Sequence, residues 1–173
     1  MSLNFDLNAL WCEKYRPTTL ADLILSDRNR EVISEFKDEI PNLLFVGTPG
    51  TGKTTAARII INEVLGCNFL GTCSSQSGFV IRPIPQYLSH PIMNGLENMR
   101  VSTKNPLYRV MPLSLTTTPL LMSERQDVPS DQIVAWTNNS YDSRVFYTSL
   151  GCPDDFENSD FQRLLINAIN WAI

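Results

Sequence analysis

The chain has 173 residues, 43% of them hydrophobic, and a formal net charge of −4. That length allows one compact domain with a real core and excludes two large ones. The acidic balance argues against a sequence-independent grip on nucleic acid, which needs a field of Lys and Arg, and direct nucleic-acid binding is not expected.

No apolar stretch of about 18 residues occurs, and the amino terminus lacks a basic region followed by an apolar core, so no membrane is expected and the cytoplasm is the expected address. Four cysteines, Cys12, Cys67, Cys73 and Cys152, stand at spacings that fit no zinc pattern. With a single histidine in the chain they read as reduced thiols.

Residues 3–20 show little periodicity, and with Pro17 blocking a helix they predict an extended arm. Residues 27–39 place Val32, Ile33 and Phe36 at helical spacing. Ile40-Pro41 closes that segment ahead of the apolar run Leu43-Leu44-Phe45-Val46, which predicts a short buried strand. Beyond a glycine-rich loop, Ala57, Ile60, Ile61, Val64 and Leu65 form the stripe of a helix that Gly66 ends.

Strand, glycine loop and helix are the setting of a phosphate cradle. In Gly47-Thr48-Pro49-Gly50-Thr51-Gly52-Lys53-Thr54-Thr55, the glycines permit the positive φ values that let successive N–H groups ring a phosphate at the positive end of the following helix. Lys53 would reach the β and γ phosphates of a nucleoside triphosphate, and the Thr54 hydroxyl would complete a Mg2+ shell. The bland alternative is a glycine turn that binds nothing. A chance match is expected in about one chain of this length in a hundred, and the flanking elements lower that further.

Trp11 followed by EKYRP, then TTLADLI and IPNLLFVGTPGTGKTTAARII, resembles the start of an AAA+ clamp-loader ATPase of the replication-factor-C and phage large-subunit type, over residues 9 to about 66. The resemblance implies ATP and Mg2+ as ligands, with Glu13, Lys14, Tyr15, Arg16 and Pro17 beside the adenine and Gly47–Thr55 on the phosphates. Clamp-loader and sliding-clamp partners are implied by it alone.

The rest of that family's machinery is not visible. No apolar strand after residue 66 ends in Asp-Glu; the nearest acidic pair, Asp154-Asp155, follows Gly-Cys-Pro, and Ser143-Arg144 is followed by Val145 instead of Cys. Binding without turnover is the expectation, because nothing orients water or stabilises the transferring phosphoryl group.

The second half predicts short strands at Phe79–Ile84, Leu120–Met122, Ile133–Trp136 and Val145–Tyr147. Ser159 with Gln162 reads as a capping box opening a terminal helix whose face carries Phe161, Leu164, Leu165, Ala168, Ile169 and Ala172. The segments HPIMNGL, PLYRVMPL, IVAWTNN and RVFYTSLGCPDDFENSDFQRLLINAINWAI resemble the carboxy-terminal half of a ThuA-like (trehalose utilisation) domain, related to class I glutamine amidotransferases.

That resemblance implies a flavodoxin-like fold and a link to sugar metabolism. The family generally has a histidine after Ser-Leu-Gly, where this chain has Cys152, so an acid-base or metal role there is in doubt while a nucleophilic thiolate stays open. His90, Cys152, Asp154 and Asp155 form the candidate set of this half. The local alternatives are a turn histidine and acids placed favourably at a helix start.

The expected fold is therefore α/β, a three-layer, mostly parallel sheet with the P-loop βα unit on the amino-terminal side, in two segments, 1–68 and 69–173, with their merger into one sheet as the alternative to separate units. Three functions remain open: an ATP-binding module with little hydrolysis, a carbohydrate-associated domain in which the loop is incidental, and a composite with no evolved function.

Overall fold

The computed structural model describes residues 11–35, 43–124, 132–139 and 143–173. The chain divides into two compact units, Met1–Ile61 and Asn62–Ile173.

In the first unit, α1 (Trp11–Lys14) is a single turn, closed by the Tyr15 N–H donating to the Trp11 carbonyl at 3.0 Å. The arm was expected to be extended throughout. One helical turn forms because Pro17 forbids helix only at and just before its own position. Trp11 is 79% exposed.

A 3-10 turn at Leu20–Asp22 follows, with the Thr19 hydroxyl donating to Asp22 Oδ2 at 2.8 Å and the Thr19 N–H to the same oxygen at 3.2 Å. These bonds hold the Asp22 carboxyl below its ordinary range. Helix α2 (Asp27–Ser34) is capped by Ser26, which accepts from the Asn29 N–H. Its expected continuation to residue 39, with Phe36, lies outside the described residues.

Helix α3 (Lys53–Leu65) is where the stripe placed a helix, but its buried face is Thr55, Ala56, Ile59 and Ile60, while Ile61 is 52% exposed. Ala56 and Ile59 pack with Leu23, Leu20 and Leu25 in a small core. The face that turns inward is thus rotated about one residue from the expected stripe.

Leu43–Val46 departs further. Expected as a buried strand, the run has no regular structure, and Leu44 and Val46 are 89% and 83% exposed. An interior strand is buried by neighbours hydrogen-bonded on both sides, and no strand is present in this unit among the described residues.

The second unit holds all the described strands. β1 (Cys67–Cys73) pairs with β4 (Leu107–Leu113) in a two-stranded ribbon. β2 (Phe79–Pro83), β3 (Val101–Thr103), β5 (Thr117–Glu124), β6 (Gln132–Asn138) and β7 (Val145–Thr148) form a sheet of order β3-β2-β5-β6-β7.

Every pairing among the described residues is antiparallel, which overturns the expectation of a mostly parallel sheet. The connections carry the reason. Residues 125–131 and 139–144 are too few for a crossover, which needs about a dozen, but suit a hairpin.

Alternation buries one face of β2, with Phe79 and Ile81 inward. These pack with Leu120, Leu121, Val134 and Ala135 of the sheet, with Ile92, Met93, Leu96 and Met99 of the segment before β3, and with helix α4 (Ser159–Ala172) through Phe161, Leu164 and Ala168. The expected cap of α4 is shifted. Asn158, not Ser159, receives the first N–H groups, from Asp160 at 2.9 Å and Phe161 at 3.1 Å, so no Ser159–Gln162 box forms. Ile169 and Ala172, placed on the apolar face by spacing, are exposed.

A second core gathers Cys67, Val110 and Trp136. Trp136 stacks on Tyr147 with centroids 4.1 Å apart. The same tryptophan donates from Nε1 to the Leu65 carbonyl at 2.7 Å, and Asn138 Nδ2 donates to the carbonyls of Val64 and Glu63 at 2.7 and 3.3 Å. The last turn of α3 is therefore capped by side chains of β6. Gly66 ends the helix at φ +68°, with its N–H on the Asn62 carbonyl at 2.8 Å.

Burial pushes the Cys67 thiol up to about 11, and burial, with smaller contributions from Cys67 and Tyr108, pushes the Tyr147 hydroxyl up to about 12. Both groups are neutral when folded, and each ionises earlier in the unfolded chain, near 9.0 and 10.0. Between those values and the folded ones the unfolded state holds fewer protons, so stability falls as pH rises. Urea midpoints measured at rising pH should be flat from about 7 to about 9, then decline, and Cys67→Ala should remove the earlier part of that decline.

Candidate functional site

The glycine loop lies in the first unit and passes directly into α3, whose first bond joins the Ala56 N–H to the Gly52 carbonyl at 2.9 Å. Gly50 and Gly52 have φ of +83° and +78°. A Cβ at either would meet nothing within 4 Å, so conformation and not space is what demands glycine there.

Lys53 folds back over its own loop. Its Nζ donates to the carbonyls of Thr48 at 2.7 Å and Gly47 at 2.9 Å and to the Thr51 hydroxyl at 3.3 Å, and Thr51 Oγ1 in turn donates to the Thr48 carbonyl at 2.9 Å. A full positive charge is thereby fixed at the loop by three oxygens. Thr54 and Pro49 are exposed, and Thr55 is buried.

The arm reaches the same place. Arg16 Nη1 donates to Thr55 Oγ1 at 2.6 Å, and Pro17 lines a cleft of about 880 Å³ together with Gly47, Lys53 and Thr55. Lys14 and Tyr15 are exposed, with Lys14 Nζ 5.4 Å from the Tyr15 ring centre, and neither lines the cleft. The expectation for the Glu13 side chain lies outside the described residues.

Leu23, Leu25, Val32 and Ile33 supply an apolar wall that motif reading alone did not single out. The signal available was the apolar residues of TTLADLIL, read only as part of the clamp-loader resemblance, and Val32 and Ile33 of α2, read only as helical spacing.

In the second unit the candidate residues sit in local turns. His90 caps the 3-10 turn Pro91–Met93, Nδ1 accepting from the Ile92 N–H at 3.3 Å, and lies 5.4 Å from the Trp171 ring. Burial lowers its pKa, keeping the imidazole neutral. Asp155 is buried, and its Oδ2 accepts from the N–H groups of Gly151 at 2.8 Å and Cys152 at 3.0 Å, while Asp154 is exposed.

No group of three His, Cys, Asp or Glu residues suited to a metal occurs among the described residues. Cys67, Cys73 and Cys152 form no disulfide. No helix among the described residues is long and apolar enough to cross a membrane.

The Asp155 geometry makes a prediction. Asp155→Ala should destabilise the chain by about 1–2 kcal/mol in urea unfolding, because two N–H groups lose their acceptor, whereas Asp155→Asn, which keeps an oxygen, should lose less. Equal losses would mean that the charge, not the hydrogen bonds, is what the corner uses.

A family model described as trehalose utilisation, ThuA, matches residues 45–172. The chain belongs to the ThuA family. The match begins ahead of the glycine loop, so the loop and α3 lie within the ThuA span. A solved ThuA-like protein of Bacteroides uniformis superposes at TM-score 0.58 and 18% identity, over 91% of this chain and 65% of that one. At that identity the likeness concerns the fold.

This ThuA chain is also similar to proteins of another kind. The replication factor C small subunit of Saccharolobus solfataricus is 46% identical over 65 residues, 35% of this chain and 19% of that protein. That of Sulfurisphaera tokodaii is 32% identical over 142 residues, 71% of this chain and 43% of that protein. The chain thus spans less than half the length of these relatives, and it joins a clamp-loader-like amino-terminal region to a ThuA domain.

Proposed function

We propose that the chain binds a nucleoside triphosphate through Gly47–Thr55, with ATP and Mg2+ as the ligands, and turns it over no faster than background. The observation that carries this reading is the convergence of two motifs on one cleft: Pro17 of the EKYRP arm and the Gly47–Lys53 loop line the same space, and Arg16 is bonded to Thr55. The cleft's about 880 Å³ falls in the range of small-molecule sites, roughly 300–1,000 Å³.

The donor set suits the phosphates. Lys53 holds its charge on backbone carbonyls that a phosphate oxygen can replace. The apolar wall of Leu23, Leu25, Val32 and Ile33 suits a base. Mg2+, when bound, neutralises phosphate charge, and Thr54 is the residue of this chain assigned to it. Asp22, the carboxylate among the residues that line the cleft, is held by the Thr19 hydroxyl and N–H, and Asp155 is engaged by Gly151 and Cys152 in the second unit; both engagements support binding without a water-activating carboxylate.

In this reading residues 1–68 form the clamp-loader-like segment and 69–173 the ThuA-like segment of a cytoplasmic protein. Nucleotide is its ligand, and no sliding-clamp loading is expected.

A second reading follows from the ThuA match over residues 45–172: a carbohydrate-associated domain in which the loop is incidental. Thermal unfolding with millimolar ATP and magnesium, beside a series of simple sugars, separates the two, since only a ligand that prefers the native state stabilises it. A transition raised by ATP supports the first reading. One raised by a sugar alone supports the second, and no cooperative transition would indicate a composite that does not fold as one protein.

A further inference from the structure

We infer that His90 is an acid-operated latch in the second unit: as a neutral imidazole it fastens the turn that carries Ile92 and Met93, and on taking up a proton it releases that turn.

The bonding of one ring nitrogen carries the inference. His90 Nδ1 accepts the Ile92 N–H at 3.3 Å and the His90 carbonyl accepts the Met93 N–H at 2.8 Å, so one residue holds the turn Pro91–Met93 twice. A ring nitrogen that accepts a hydrogen bond carries no proton, and in the imidazolium both nitrogens are donors. Protonation therefore breaks the Nδ1 bond and sets two N–H groups against each other.

The residues on the turn make that bond matter. Ile92 and Met93 are fully buried and belong to the main core, together with Phe161, Leu164 and Ala168 of α4. The turn is tied to the same helix by Asn167, whose Nδ2 donates to the carbonyls of Ile92 at 2.9 Å and Asn94 at 3.0 Å, and the His90 ring lies 5.4 Å from that of Trp171. Loss of the cap loosens the seat of both side chains in the core.

Among the described residues around the ring, Trp171 and Asn167 of α4 carry no charge, and neither does Tyr87, whose carbonyl accepts the His90 N–H at 3.1 Å. Arg144, with Cζ 5.7 Å from the Trp171 ring centre, is a like charge, and Glu97, the first carboxylate along the segment, accepts from the Gly95 N–H at 3.3 Å. Burial lowers the His90 pKa below its ordinary 6.5. The unfolded chain thus takes its proton first as pH falls. From about 7 downward it holds more protons than the folded chain, so stability is lost as pH drops through 6.5, until the folded value is passed.

The chain has one histidine, and no other side chain ordinarily changes charge between about pH 5 and 8, so the window belongs to this residue. The test uses the full chain. Urea midpoints, read by tryptophan fluorescence at pH about 7.5 and about 5.5, are compared for the wild type, His90→Asn and His90→Ala, while NMR follows the imidazole resonance of the wild type over the same range.

The wild-type midpoint should fall by roughly 0.3–1 M between the two pH values. Asparagine offers an oxygen to the same N–H and does not titrate, so His90→Asn should hold its midpoint within about 0.2 M across the range. His90→Ala should be low at both pH values, and the wild-type imidazole should titrate below 6.5.

A decline of equal size in His90→Asn would assign the loss to other groups, and a His90→Ala midpoint equal to the wild type at the higher pH would mean that the cap holds nothing. An imidazole that titrates at or above 6.5 would mean that the folded chain takes the proton without losing the turn. Each of these overturns the inference, and the last needs no variant to fold.

Discussion

Gly66→Ala is expected to destabilise the protein by about 2–5 kcal/mol, a strain of about 1–2 kcal/mol for a left-handed residue with a Cβ plus about 1–3 kcal/mol for overpacking. A Cβ at this position would stand 2.5 Å from Thr117 Cγ2 and 2.9 Å from Asn138 Cγ and Nδ2. Neither neighbour can yield without loss. Asn138 is fully buried and holds the carbonyls of Glu63 and Val64, while its Oδ1 accepts from Thr116 Oγ1 at 2.7 Å.

Denaturant unfolding followed by tryptophan fluorescence measures the effect, with Gly52→Ala as the comparison. Gly52 has a similar φ, +78°, but open space around it. Its variant should show the strain without the clash, and matching losses for the two would mean that the contact with Asn138 is not what makes alanine intolerable at 66.

Lys53→Ala should weaken ATP by about tenfold to a hundredfold and adenosine by less than about twofold. A charged donor to phosphate is the strongest single contact the loop offers. Stability itself should change little, within about 0.5 kcal/mol, because the oxygens left behind on Gly47, Thr48 and Thr51 belong to exposed residues and are taken up by water. Equal loss for ATP and adenosine would refute the phosphate cradle, whatever the size of the loss.

Local chemistry was legible in the sequence where one residue type decides the outcome. Gly66 ends α3 as expected, and the strands around Phe79, Leu120, Ile133 and Val145 are present. The glycines of the loop take the left-handed conformations that the motif demands.

What was not legible depends on neighbours. Leu43–Val46 has the composition of an interior strand, yet a strand requires partners that composition cannot supply. The direction of the sheet was taken from resemblance, although the short connections 125–131 and 139–144 already favoured hairpins. Strands β1, β3 and β4 escaped because Gly71 and Pro112 interrupt β1 and β4 and because β3 is only Val101–Thr103.

The site divides along the same line. The loop was readable from spacing, but the bond between Arg16 and Thr55 joins residues 39 apart in the chain, and no local pattern announces it. Asn158 displaced Ser159 as the cap of α4 because its longer side chain reaches two N–H groups from one position earlier.

The outward-facing run Leu43–Val46 bears on how the protein behaves in a test tube. Four consecutive apolar residues on the outside form a template for another chain, and the devices that protect natural sheet edges, a lysine, a proline or a bulge, are not among them. The nearest prolines are Pro41 and Pro49. Turbidity is therefore expected to rise with protein concentration, and Leu44→Lys or Val46→Lys, at positions whose side chains face water though they are among those lining the cleft, is expected to reduce it.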